Sequence, residues 1–272
     1  MNRFTIHDSP FTISPVLLLK LVLVPSLIAA ITLATRRWGP RIGGFLTALP
    51  VVTGPILCFY AVEQGRRFGA HAATGTLLAL TAVVGYGVTY ARVARRARWP
   101  LTLVTGWLTF LIVVAVLYYV PQTPYLGLPL VAVACTVGVR LLPSPRGVPP
   151  AVPHPWWDLP LRMIAAATLV LVLTSVAAWL GPSLSGLLTP FPLATALLAA
   201  FTHAQRGPDA VLAFFHGFLP ALVTFAVFCF TLAVLLPVVP LALAVAAAFG
   251  AQLVLQAVLY RRYHVEGVSL TE

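Results

Sequence analysis

Threonine, proline and glycine recur with matched spacing in two apolar stretches, where they are suited to forming a solute site inside a membrane. The residues are Thr47, Pro50, Thr53, Gly54 and Pro55 in the first stretch, and Thr189, Pro190, Pro192 and Thr195 in the second. A proline inside a helix removes one backbone hydrogen bond and disrupts another. In lipid the freed carbonyl groups need partners from protein or from a water-lined cavity. The shared T-x-x-P-x-x-T pattern therefore predicts a substrate cavity. The alternative is that the prolines only kink two helices for close packing.

Both stretches belong to a longer internal repeat, in which residues 39–80 match residues 181–222 at a shift of 142 positions without a gap. The match contains 13 identities in 42 positions, and most of them are glycine, proline or threonine. Chance matches in so apolar a chain would mostly be leucine, alanine and valine, which indicates a true duplication. Duplicated membrane halves with proline-interrupted helices are the best sequence indication of a transporter's binding site.

Charged residues near these stretches are further candidates. Lys20 and Arg162 are equivalent under the same shift, as are Glu63 and Gln205. Lys20 and Arg162 are predicted either to form cationic gates that attract an anionic substrate or to anchor helix ends at the water boundary. Glu63 is predicted to be a solvated helix-end carboxylate paired with Arg66 or Arg67, and the alternative is a proton site. Gln205 makes the second gate unequal to the first.

Three histidines, His71, His203 and His216, lie in or at the ends of apolar segments and can titrate near neutral pH, so they are candidates for proton coupling. Each stands alone on its helix, and no metal site is predicted. The chain also has no HExxH sequence, no phosphate-cradling glycine loop with lysine and no serine-centred elbow. We therefore expect neither an enzyme nor a cofactor.

Composition identifies the class of protein. Sixty per cent of the 272 residues are hydrophobic, 8% are charged, and the mean hydropathy is +0.97, whereas a soluble domain has about a quarter charged residues. The net charge of +11 lies in short loops between apolar runs, which is typical of membrane topology and not of a nucleic-acid surface. The predicted partners are the lipid bilayer and a small-molecule substrate of unknown identity, but no nucleic acid. A homodimer stays open.

Hydropathy predicts an all-α membrane protein with nine spans. They are 13–35, 42–62, 69–91, 100–120, 124–141, 160–180, 184–204, 209–235 and 239–260. With the N-terminus outside and the C-terminus in the cytoplasm, 13 Lys and Arg residues lie inside and 4 outside. The two copies then have opposite orientation. This is a 4+1+4 inverted repeat, with repeat 1 at 1–122, a linker helix and Pro-rich loop at 123–156, and repeat 2 at 157–272, all in one membrane domain.

The stretch G-P-R-I-G-G-x-L-T-A-L-P-V-V-T-G-P at 39–55, followed by A-V-E-Q-G at 61–65, resembles small bacterial inner-membrane proteins of the GlpM-like group. This resemblance implies a fused, inverted pair of four-helix units. The second copy departs from the pattern at Ser183, Leu197 and Gln205. The architecture is also similar to drug/metabolite transporters, but the central glutamate of the small multidrug exporters is missing from the first helix.

Together these features predict a bacterial inner-membrane secondary transporter or flippase that moves a small, anionic or amphipathic solute by alternating access between the repeats. The alternative is a non-transporting scaffold that binds partners or anionic lipids through its arginine-rich cytoplasmic loops. The contact patch would then be the segment Arg92–Arg98.

Overall fold

The computed structural model describes residues 15–50, 53–147, 156–168 and 189–268, and every regular element in these residues is an α-helix. A helix pairs its backbone polar groups within one segment, as the interior of a bilayer requires. The helices are α1 (Pro15–Trp38), α2 (Pro40–Thr47), α3 (Thr53–Glu63), α4 (Arg66–Val93), α5 (Trp99–Leu117), α6 (Pro124–Leu141), α7 (158–168), α8 (Leu193–Leu235) and α9 (Leu241–Val268).

Five of these helices are long and apolar enough to cross a membrane: α4, α5, α6, α8, and α9 as far as Arg261. Large apolar side chains are exposed along α5, α6 and α9, as expected of surfaces that face lipid. The chain is therefore an all-helical, multi-pass membrane protein. The number of nine spans stays a prediction, because parts of the predicted spans at 160–180 and 184–204 lie outside the described residues.

Helix boundaries follow the 142-residue shift beyond the segment where the sequences match. The backbone of α8 is non-helical at Gly207 (φ 78°, ψ −177°), which divides it into 193–206 and 208–235. The second part has the bounds of α4 shifted by 142, and α9 begins at the equivalent of the first residue of α5. Gly65, the equivalent of Gly207, also has a positive φ (93°). Glycine adopts such a backbone without strain, so the same turn separates the two helices in each copy.

The predicted span 42–62 is two helices, since α2 ends at Thr47 and α3 begins at Thr53. In the second copy residues 189–192 are likewise non-helical before α8 begins. The Gly54 N–H donates to the Pro50 carbonyl at 2.7 Å, and the equivalent Ala196 N–H donates to the Pro192 carbonyl at 2.7 Å. Proline has no N–H and disfavours helical backbone in the residue before it, which explains a break at the same place in both copies.

Packing joins the two copies into one core. Helix α2 crosses α8 so closely that a Cβ atom on Gly44 would overlap the Phe214 carbonyl, and one on Gly217 would overlap the Arg41 carbonyl. The predicted linker helix, α6, lies against both copies, because Gly127 packs on Leu77 of α4 and Gly138 on Leu219 of α8.

Polar contacts between described residues join helix ends and loops at each of the two ends of the bundle. At the end where α4 finishes, Arg95 donates to the Ser144 carbonyl, and the Arg146 N–H donates to Asp209 at 3.0 Å. At the end where α4 begins, Arg66 donates to the Val239 carbonyl at 3.0 Å. Helix α4 and its equivalent, residues 208–235, therefore run in opposite directions. The charge count predicts that the residues at the end where α4 finishes lie inside and that those at the end where α4 begins lie outside.

Candidate functional site

A cavity of about 90 Å³ lies between α1, α3, α4 and α8, beside both helix breaks. We call it the central cavity. The four threonines predicted for the site all line it, and so do Pro190 and Pro192. A water molecule needs about 10–15 Å³ of such space, so the central cavity has room for several waters or for part of a small solute.

The central cavity takes equivalent residues from both copies of the repeat. Five pairs of lining residues are related by the 142-residue shift. They are Thr47 and Thr189, Leu49 and Phe191, Thr53 and Thr195, Leu80 and Leu222, and Val83 and Phe225. Among the described residues that line it, none is charged, and most are aliphatic or aromatic. Such a mostly apolar cavity with a few polar groups suits a small organic molecule.

The hydroxyl groups of Thr53 and Thr195 are the polar groups best placed to bind a solute. Both residues are buried, with 8% and 5% of their surface exposed, and neither hydrogen-bonds through its side chain to another described residue. Thr47, by contrast, donates its hydroxyl hydrogen to the Gly43 carbonyl at 2.7 Å. A free hydroxyl can donate one hydrogen bond and accept two, so Thr53 and Thr195 can bind carbonyl, ether or hydroxyl groups.

The remaining residues predicted for this site shape the break in the first copy and do not line the cavity. The Pro50 carbonyl caps α3 through its bond from Gly54. Gly54 itself packs against the rings of Phe228 and Phe249. Pro55 lies in the first turn of α3, where a missing N–H costs no helical hydrogen bond. The Pro192 carbonyl is also used as a cap, so threonine hydroxyls and not proline carbonyls are the polar groups offered to a solute.

A second, smaller cavity of about 20 Å³ lies one helical turn further along α1 and α8. We call it the end cavity. Its wall contains the group Arg36, Asp158, Arg162 and Gln205, which we call the end cluster. Asp158 is fully buried and accepts hydrogen bonds from Arg36 at 2.7 Å, from Arg162 at 2.9 Å and from Gln205. Arg162 also donates to the Gln205 side-chain oxygen at 3.0 Å, which closes the network.

The electrostatics of the end cluster keep Asp158 ionised. Burial by itself raises the pKa of this carboxyl group, but hydrogen bonds from Gln205 and Arg36 and the charge of Arg162 outweigh burial and lower the pKa below its usual value. The Arg162 guanidinium also lies over the ring of Phe201, 4.6 Å from its centre. A cation above an aromatic face is held by the ring's quadrupole.

The predicted gate residues Arg162 and Gln205 therefore meet, while Arg36 and Asp158 are functional candidates that the sequence reasoning did not select. The spacing of Asp158 and Arg162, four residues apart on one helix, is a detectable sign of an ion pair. The side chains of Lys20 and Glu63 lie outside the described residues, so the other predicted gate stays a prediction.

The histidines line neither cavity. His203 is buried and packs edge-on against Tyr90, with ring centres 6.0 Å apart. His216 contacts the Pro143 carbonyl through Nε2 at 3.2 Å. Proton coupling through either histidine would have to act at a distance from the central cavity.

The arginine-rich segment after α4 is partly used inside the molecule. Arg92 donates to the Leu141 carbonyl at 3.2 Å, and Arg95 donates to Ser144. Arg96 and Arg98 are not hydrogen-bonded in this way, and Arg98 is exposed. Two of the four arginines of the alternative partner patch thus tie the end of α4 to the residues that follow α6.

Within the described residues, no three His, Cys, Asp or Glu side chains lie close enough together to hold a metal ion. No family model, curated protein or solved structure matches the chain. The class defined by the fold and the central cavity is a helical, multi-pass membrane protein with a cavity between two copies of one unit.

Proposed function

We propose that this protein is a membrane carrier that binds a small solute in the central cavity and exposes it alternately to the two sides. The observation that carries the proposal is the set of five equivalent residue pairs around one cavity. Unrelated packing of two duplicated units would have no reason to bring equivalent residues together. A cavity on a pseudo-two-fold axis does so by construction, and this is where inverted-repeat carriers bind their substrates.

The contacts between the copies support an inverted relation. Leu80 and Leu222, which are equivalent, line the same cavity. Gly87 is seven residues after Leu80, and it meets Phe215, which is seven residues before Leu222. Two equivalent helices that cross at equivalent residues and run in opposite directions are related by a two-fold axis perpendicular to both. For helices that span a membrane, that axis lies in the membrane plane.

Alternating access follows from this arrangement. If the two copies are inverted, the state open to one side and the state open to the other are related by exchanging the conformations of the copies. The non-helical residues 48–50 and 189–192 supply the joints, since a rocking motion needs backbone that is not held in a continuous helix. The scaffold alternative, which would bind partners through Arg92–Arg98, requires neither a central cavity nor paired breaks.

The test of this proposal does not need the substrate. Thr53→Cys and Thr195→Cys are made singly in a chain whose three native cysteines are replaced, and each is treated with a membrane-impermeant thiol reagent. A carrier exposes both positions to reagent added from either side, in intact cells and in inverted vesicles. Leu57→Cys is the matched control, because Leu57 lies on α3 and is fully buried in the core. Protection of both threonine positions from both sides would refute the carrier.

The same chain tests the orientation. Arg67→Cys and Val238→Cys lie at the end where α4 begins, and Ser144→Cys lies at the other end. We expect impermeant reagent to label the first two in intact cells and Ser144→Cys only after the membrane is opened. Labelling of Ser144→Cys from outside would contradict the predicted orientation of the chain.

A further inference from the structure

The central and end cavities are consecutive parts of one path along α1 and α8. On α1, Ile28 and Ile31 line the central cavity, and Thr32 and Thr35 line the end cavity. On α8, Phe218 belongs to the central cavity and Phe214, one turn earlier, to the end cavity. An apolar space therefore adjoins a charged space within one helical turn.

Among the described residues of the end cluster, two arginines face one carboxylate. Arg36 and Arg162 share the single carboxylate of Asp158, and the side chain of Arg206 lines the same cavity. The charges of Arg36 and Arg206 lie close enough to oppose the charge of Arg162. Two buried or half-buried guanidinium groups around one carboxylate leave a net charge that a second anion would offset.

Two polar atoms at the end cavity have no hydrogen-bond partner among the described residues. Thr32 is 3% exposed, and its hydroxyl oxygen is buried and unpaired. The Nε–H of Arg36 is also buried without an acceptor. Unpaired buried donors cost free energy, so both groups are available to a ligand that brings acceptor oxygens.

We propose that the end cavity binds the oxyanion head group of an amphipathic substrate, a carboxylate or a phosphate, whose apolar body lies in the central cavity. This inference rests on the proposed carrier function and names its substrate class. The head group takes the place of the Asp158 carboxylate between Arg36 and Arg162 and accepts hydrogen bonds from Thr32 and the Arg36 Nε–H.

Asp158 occupies the site as an internal carboxylate when no substrate is bound. Donors from α1, α7 and α8 converge on its two oxygens, which is the arrangement that a carboxylate ligand needs. When a substrate displaces it, the link that holds α7 against α1 and α8 is released. The exchange of one anion for another thus couples substrate binding to opening of this end of the molecule.

The proposal is tested with short probes on the purified full-length protein, by the concentration dependence of its thermal unfolding. The probes are hexanoate, hexyl phosphate, hexanol, hexylamine and acetate. We expect saturable stabilisation by hexanoate and hexyl phosphate, and weaker effects from the other three. Binding within the carboxylate series should tighten by about fourfold for each added methylene group, because the body enters the apolar central cavity.

Variants separate the head group from the body. Arg36→Gln should weaken hexanoate binding about tenfold to a hundredfold, the effect of losing a charge-assisted hydrogen bond, and leave hexanol binding unchanged. Arg37→Gln makes the same change of charge at the exposed neighbour and should have no effect. Asp158→Asn removes the internal competitor and should tighten hexanoate binding about tenfold. A purely structural role for Asp158 would not tighten it.

The outcomes are distinct. Equal affinity for hexanol and hexanoate, unchanged by Arg36→Gln, would overturn the oxyanion head group and leave the carrier intact, since the carrier is judged by cysteine access at Thr53 and Thr195. No binding of any probe would also overturn this inference. Dihexanoyl phosphatidic acid identifies the source of the anion: tighter binding of this lipid than of hexyl phosphate supports a lipid head group, and binding of hexyl phosphate without the lipid supports a soluble substrate.

Discussion

The central cavity and the end cluster differ in how they relate to the internal repeat. Equivalent residues from both copies line the central cavity, and none of its described lining residues is charged. The end cluster is repeated only in part. Arg162 and Gln205 have the polar equivalents Lys20 and Glu63, but the positions equivalent to Arg36 and Asp158 hold Ala178 and Val16. The central cavity is therefore lined by both matching segments, whereas Arg36 and Asp158 have no charged equivalent under the 142-residue shift. In our proposals the shared part binds the body of a solute and the divergent part distinguishes its two ends.

In the proposed carrier, this difference would make the two ends unequal in energy. A carrier with two equivalent gates would open as readily to one side as to the other. Three segments held by one buried carboxylate favour the state in which this end is closed. A ligand shifts the equilibrium between the closed and open states only by the difference between its affinities for them. An anion that competes with Asp158 has such a difference, because Asp158 occupies its site in the closed state.

The largest expected effect comes from breaking the end cluster. Arg162→Met keeps much of the side chain's volume but leaves Asp158 buried with a less complete set of partners, which should destabilise the protein by about 3–5 kcal/mol. Thermal unfolding in detergent measures the change. Arg37→Met, at an exposed position, is the control and should cost less than about 1 kcal/mol. Equal losses for the two variants would show that the buried ion pair does not hold this end together.

The next effect concerns the helix crossing that frames the central cavity. Gly44→Ala and Gly217→Ala each place a Cβ atom on a backbone carbonyl of the facing helix, and we expect losses of about 1–3 kcal/mol from overpacking. Gly250→Ala is the matched control, since a Cβ atom there meets no atom within 4 Å. It should be neutral or stabilise by up to about 1 kcal/mol, because alanine favours helix more than glycine does. The prediction is contradicted if all three variants behave alike.

The sequence predicted the symmetric part of the molecule better than the asymmetric part, for a physical reason. Duplicated prolines and glycines force local backbone geometry, so the breaks before Thr53 and Thr195 and the turns at Gly65 and Gly207 could be located from the repeat. Both threonine pairs line one cavity, and their role in binding a substrate stays a prediction. Local geometry repeated in the sequence is also repeated in the structure.

The end cluster could not be found in this way, because its members come from three distant segments. Arg36 and Asp158 are 122 residues apart, and only tertiary packing brings them together. Asp158 lies just before the predicted span 160–180, and its full burial depends on the approach of α1 and α8. The same reason explains why the histidines, selected one by one as titratable groups, line neither cavity.

A smaller effect tests the equivalence of the two halves of the central cavity. Thr53→Val and Thr195→Val remove hydroxyls that have no side-chain hydrogen bond to another described residue, so stability should change by less than about 1 kcal/mol. Each should weaken binding of a solute probe by a similar factor, about fivefold, and the double variant should abolish transport. Thr47→Val is the control, since its hydroxyl is bound to Gly43. A strong effect at one threonine and none at the other would show that the solute site is not shared by the two copies.

The smallest effect concerns pH. The end cluster predicts that the stability contributed by Asp158 does not depend on pH in the physiological range. The pKa of Asp158 is lower in the folded protein than its usual value, so the stability that the ionised carboxylate contributes is present above the unfolded pKa, which is about 3.9. It is lost only as the pH falls through the lower, folded pKa. The difference in unfolding temperature between the wild type and Asp158→Asn should therefore be constant from about pH 5 to 8 and shrink below about pH 4. A difference that changes between about pH 6 and 7 would mean that a proton, and not a competing anion, opens this end of the molecule.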